Sequence, residues 1–172
     1  MNLVMLFSNI ITQRILHRKS STQSCESEGK VGTTIVPKVK SSIDLAPRSS
    51  TSYAVDSLQA AYAAANAAET KKANGTLVLD VGQITLLADY FVITGGDSAN
   101  QVKAIVDAID EKLSQLGYPA RSIEGKADSR WVLLDYGDII VHVLQERERS
   151  FYKLEQFWNS GLIIDRKKWV EE

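Results

Sequence analysis

The stretch WVLLDYGDIIVHV, Trp131 to Val143, decides how this chain is read. Leu133, Leu134, Ile139, Ile140, Val141 and Val143 leave few polar positions in it. Tyr136-Gly137-Asp138 sits between the apolar halves, where a glycine supplies the backbone angles a tight turn needs. WVLLDY and DIIVHVLQ are therefore predicted to form a hairpin. With so little alternation, both faces of that hairpin should be covered, which places it centrally in a sheet. The same run carries two carboxylates, a tyrosine and the last of only two histidines, so it raises a catalytic question as well.

Working outward, ARSIEG (120–125) reads as a short strand and KADSR as a loop. Downstream, RSFYKLEQFW has helical spacing, with Phe151, Leu154 and Trp158 on one face and Tyr152 off it. Upstream, residues 99–116 make a strong helix. Val102, Ile105, Val106, Ile109, Leu113 and Leu116 form one apolar stripe, with Gln101, Lys103, Asp107, Glu111 and Lys112 off it. Ser98 and Gln101 have capping-box spacing, Asp97 adds negative charge at the positive helix end, and Gly117 and Pro119 stop the helix. LLADYFVITGG (86–96) gives a turn and then a strand from Tyr90. TLVLDVGQIT (76–85) gives a strand that breaks at Gly82. Before it, SYAVDSLQAAYAAANAAETKK is alanine-rich and helical, with Val55, Leu58, Tyr62 and Ala65 repeating, and Asn74-Gly75 ends it. The expected fold is α/β, an α+β sandwich with a mixed sheet of about five strands and flanking helices.

Length and composition organise the rest. The 172 residues suit one domain, residues 51–160, with a tail at 1–50 and a C-terminal extension at 161–172 whose role is open. Residues 1–50 hold seven Lys/Arg against three Asp/Glu, leaving thirteen against eighteen for residues 51–172. An acidic domain is poorly suited to gripping phosphates and better suited to a basic partner, so little direct RNA binding is expected. Residues 20–50 are rich in Ser and Thr and read as disordered or a linker. The opening MNLVMLFSNIITQRILHRK has no acid and lacks secretory-signal features. It reads either as an organelle transit peptide or as a nonfunctional extension. The single cysteine, Cys25, excludes an internal disulfide framework and a Cys-rich zinc site. No apolar run approaches the length that spans a bilayer.

Catalytic readings find little support. His142 lies mid-strand with no nucleophile placed beside it and no GxSxG. One usable histidine leaves only carboxylates for a metal. TGGDSANQV runs from strand to helix but matches neither GxxxxGK[ST] nor GxGxxG, and Asp97 would repel a phosphate. A strand followed by Gly-Gly and a helix also suggests the start of a nucleotidyltransferase domain, whose chemistry needs two carboxylates at i and i+2 on a strand. RSIEG offers only Glu124 there. No enzyme activity, cofactor or metal is expected, and a residual nucleotidyltransferase is the competing reading.

LADYFVITGGDSANQVKAI and SIEGKADSRWVLLDYGDIIVHVLQERERSFYKLEQFW resemble the ribosomal silencing factor family, also called RsfS or Iojap, over about residues 55–158. The GGDS stands where many members have Gly-Ser or Gly-Asn. The resemblance implies a nucleotidyltransferase-like fold without nucleotidyl transfer. It implies binding to the large ribosomal subunit at a basic protein, the universal L-fourteen protein. Such binding would block small-subunit joining and repress translation. It equally implies, for organelle relatives, a role in large-subunit assembly, and it allows a homodimer. The location follows: cytoplasmic, or chloroplast or mitochondrion if residues 1–50 are a transit peptide. By resemblance the partner-facing surface comes from the hairpin and the last helix, and the candidates are Trp131, Asp135, Tyr136, His142, Tyr152 and Trp158. Tryptophan and tyrosine are favoured interface anchors, and Asp135 could meet a Lys or Arg. Trp131 and Trp158 fit core and interface equally, and His142 shares its strand side with Ile140 and Leu144. Asp89 is read as capping or turning the chain.

Overall fold

The computed structural model describes residues 55–125 and 130–170. The readings of the tail at 1–50 and of most of the KADSR loop fall outside them. The elements, in order, are α1 (Ser57–Thr70), β1 (Asn74–Asp80), β2 (Tyr90–Gly96), α2 (Ala99–Gln115), β3 (Ser122–Glu124), β4 (Trp131–Asp135), β5 (Ile139–Gln145), α3 (Glu146–Tyr152), α4 (Leu154–Phe157), β6 (Leu162–Ile164) and a 3-10 turn at Arg166–Lys168.

The strands form one mixed sheet in the order β3-β4-β5-β2-β1-β6. β2 and β5 run parallel, Tyr90 beside Ile139 through Gly96 beside Gln145. The other neighbours are antiparallel. A parallel pair needs a crossover, and α2, β3 and β4 supply it. β4 and β5 form the expected hairpin, and Trp131–Leu134 and Ile139–Leu144 are buried throughout. At its turn Gly137 has φ +95°. The Asp135 carboxylate accepts from the Gly137 N–H at 2.7 Å, and the Tyr136 N–H donates to the Ile139 carbonyl at 2.9 Å.

Strand alternation sorts the core into two faces. Val78, Val92, Val141, Val143, Val132 and Leu134 join α1 and α2 in one buried cluster. Of the stripe predicted for α2, Val102, Ile105, Ile109 and Leu113 are buried, and Val106 and Leu116 are half-buried against the same cluster. The α1 stripe differs from its sequence expectation. Its buried side is Ala60, Ala61, Ala64, Ala65, Ala67 and Ala68, and Val55, Leu58 and Tyr62 are only half-buried. Small side chains let α1 approach α2 and the sheet closely, so the alanines form the packing surface. The two helices are also joined at their ends. Ser98 caps α2 by accepting from the Gln101 N–H at 3.2 Å. The Gln101 side chain accepts from the Asp97 N–H at 2.9 Å and donates to the Lys72 carbonyl at 2.9 Å, tying the end of α1 to the start of α2.

Three further expectations are corrected. The sheet has six strands rather than about five, because Leu162–Ile164, within the segment read as an extension, pairs with β1. Trp169 in the same segment is buried in the cluster under α1 and α2. Asn74-Gly75 does not cap α1. The helix ends at Thr70 and Asn74 opens β1, where the register shifts before Leu77. The last helix is not continuous. Lys153 adopts a left-handed conformation (φ 48°, ψ 51°), splitting it into α3 and α4. Phe151 therefore leaves the face it was expected to share with Leu154 and is 78% exposed, whereas Leu154 is buried.

Candidate partner-binding surface

α3 and α4 overlie the sheet face opposite α1 and α2, and aromatic rings connect them to it. Phe91 on β2 and His142 on β5 meet edge-on at 5.7 Å between ring centroids. Trp131 on β4 lies 5.8 Å from His142 and 5.0 Å from Tyr152 on α3. Phe91 in turn meets Trp158, the residue that ends α4, at 5.0 Å. Two further contacts carry the chain outward: Phe151 against Tyr152 and Phe157 against Trp158, each at 5.0 Å and close to perpendicular. Seven rings thus run from the exposed Phe151, through a buried centre, to Phe157, which is 62% exposed. Edge-to-face pairs of this kind are favourable beyond the area they bury.

The predicted site residues separate within this arrangement. Trp131, His142, Tyr152 and Trp158 come together in the aromatic chain. Trp131 and His142 are buried, and Tyr152 and Trp158 are half-buried. Burial lowers the His142 pKa to about 3, so the imidazole is neutral at physiological pH. Tyr136 does not belong to this group. It is buried against the opposite layer, with its hydroxyl donating to Asp110 on α2 at 3.3 Å. Burial, and then the Asp110 charge, push its phenol pKa well up. Asp135 is half-buried and spends one carboxylate oxygen on the hairpin turn.

Phe151 and Phe157 were not among the sequence candidates. The missing signal is the break at Lys153, since an uninterrupted helical period assigns Phe151 to the buried side. At the other end of β2, burial and then Asp80 and Asp89 raise the Tyr90 pKa. Asp89 also anchors the chain there, as its N–H donates to the Asp138 carbonyl at 2.8 Å. Among the described residues no His, Cys, Asp and Glu cluster could hold a metal ion, and no helix is long and apolar enough to cross a membrane.

A surface held together by edge-to-face and tilted ring contacts, with two exposed phenylalanines at its ends, is suited to contact with another macromolecule. The model of the family described as "Ribosomal silencing factor during starvation" matches residues 54–172. The chain belongs to the ribosomal silencing factor family. The match includes the segment that contributes β6 and Trp169. Ribosomal silencing factor RsfS of Bacillus subtilis is 42% identical over 102 residues, which cover 59% of this chain and 86% of that protein. The chloroplastic protein Iojap of Zea mays is 32% identical over 111 residues, covering 63% of this chain and 47% of the maize protein. Among solved structures, a Chromobacterium violaceum protein superposes with a TM-score of 0.59 at 31% identity, covering 61% of this chain and 88% of that one. A Bacillus halodurans protein superposes with a TM-score of 0.53 at 36% identity, covering 63% and 95%.

Proposed function

We propose that this chain binds the large ribosomal subunit through a basic ribosomal protein on its subunit-facing side, the universal L-fourteen protein. Bound there, it blocks small-subunit joining and so lowers translation. Family membership over residues 54–172 carries this reading. It acts by occupying a surface rather than by catalysis. The contact surface is α3, α4 and the rings beneath them: Phe151, Tyr152, Phe157 and Trp158 meet the partner, and Trp131 and His142 support them from below. Exposed aromatics that rest on a packed layer lose little side-chain freedom on binding, which favours affinity. The net acidity of residues 51–172 supports a basic partner by drawing it in over longer range.

Co-sedimentation tests the reading: purified large subunits should carry the protein through a sucrose cushion, and purified small subunits should not. Protein left in the supernatant with both would refute it. A second reading has its own support, since relatives are named as a chloroplastic Iojap protein and a mitochondrial Iojap-related protein. In that reading the same contact serves large-subunit assembly inside an organelle. A mature protein beginning near residue 50 would favour it.

A further inference from the structure

Arg149 is a charged residue held inside the fold, with only 9% of its surface exposed. It sits in the last turns of α3 and reaches three places. Its Nη1 donates to the Asn74 carbonyl at 2.8 Å and its Nη2 to the Gly75 carbonyl at 2.7 Å. Its Nε donates to the Glu155 carboxylate on α4 at 3.1 Å. Its own carbonyl accepts from the Lys153 N–H at 2.9 Å, which closes α3 at the left-handed residue. Gly75 is shaped to this side chain: it has φ +54°, and a methyl group there would stand 3.0 Å from Nη1.

We propose that Arg149 is a positioning residue for the partner-binding surface. By clasping the Asn74–Gly75 carbonyls on one side and Glu155 on the other, it sets the bend between α3 and α4 and with it the placement of Phe151 and Phe157. The inference rests on the reading that these rings meet the partner. The physical grounds are these. A left-handed lysine is unfavourable relative to helical backbone, so something around it must hold it in place. A continuous helix would return Phe151 to the side of Leu154. The clasp joins residues on both sides of Lys153 to the start of β1, and its guanidinium fork suits two carbonyls and a carboxylate at once. Arg149 itself is largely buried, so it acts through the rings.

The test is a double-mutant cycle in the full-length chain, read as affinity for purified large ribosomal subunits, with helix content and Tm recorded for each variant. Arg149→Met keeps the aliphatic stem and removes the donors. Glu155→Gln weakens only the α4 side and serves if Arg149→Met fails to fold. Phe151→Ala removes one end of the ring chain. The expected result is that Arg149→Met, or Glu155→Gln in its place, lowers affinity about tenfold at temperatures well below its Tm. The loss should be strongly non-additive with that of Phe151→Ala, because the two residues then act through one surface. Arg149→Lys, which restores one donor group, should recover part of the affinity. Unchanged affinity in the folded clasp variants, or losses that add with Phe151→Ala, would overturn the positioning role while leaving the partner surface intact. If Phe151→Ala and Phe157→Ala both bind as tightly as the unaltered protein, the surface reading fails first and the positioning role falls with it.

Discussion

Tyr152 packs on Trp131 with 5.0 Å between ring centroids and 49° between planes, so a half-buried residue of α3 rests on a buried residue of the central hairpin. The pair divides a task that the sequence assigns to both. Trp131 belongs to the support, and Tyr152 lies where the support meets the surface. Trp131→Ala should therefore destabilise the domain by about 3–5 kcal/mol, the usual result of emptying a large buried aromatic position. Tyr152→Ala should lower affinity for the large subunit about tenfold with a stability change nearer 1 kcal/mol. Urea unfolding and a binding titration on the same two variants separate the effects. Equal stability losses in both would contradict the division.

His142 makes stability depend on pH in a definite direction. Its folded pKa, about 3, lies below the ordinary value of 6.5 because the buried site disfavours the imidazolium. The unfolded chain then binds more protons than the folded one between those two values. The His142 contribution is complete above about pH 6.5 and is lost as pH falls, by about 1.4 kcal/mol per unit. Unfolding free energies of the protein and of His142→Leu, measured at pH 7.5 and 4.5, should differ in their pH response by about 2–3 kcal/mol, with the leucine variant the flatter. Parallel profiles would show that the imidazole is solvated.

Gly137 holds the hairpin turn at φ +95°, and an added methyl group would collide with the Arg121 guanidinium. The arginine end can move aside, but the backbone angle cannot be adopted by alanine without strain. Gly137→Ala should cost about 1–2 kcal/mol in thermal or urea unfolding. A neutral substitution would place the turn in a different conformation.

Trp169 tests whether the C-terminal segment is part of the fold. It is buried in the cluster under α1 and α2, and β6 just before it pairs with β1. Trp169→Ala should destabilise the whole domain by about 3–5 kcal/mol in a single transition. Loss of less than 1 kcal/mol would make residues 162–170 an appendage.

The parts of this fold that could be read from the sequence are those whose physics is local. The α2 stripe, the Ser98 cap and the Gly137 turn each follow from a few adjacent residues, and each stands where the pattern puts it. What escaped reading depends on distant partners. Lys153 turns left-handed while Arg149 binds the carbonyls of residues far back in the chain, and no nearby glycine signals it. β6 is three residues long and is a strand only because β1 has a free edge. The α1 alanines look like helix propensity alone until α2 packs on them. Tyr136 and Trp131, both buried, are five positions apart on one hairpin, an odd spacing that puts them on opposite faces of the sheet. In a run apolar on both sides, the pattern by itself does not say which face meets which layer.

Subunit joining is the most direct test of the central claim. Purified large subunits are incubated with excess protein, small subunits and magnesium are added, and the joined fraction is read on a sucrose gradient. The joined fraction should fall as protein is added, and Phe151→Ala with Phe157→Ala should restore it. A joined fraction that stays constant under saturating protein would contradict the silencing role.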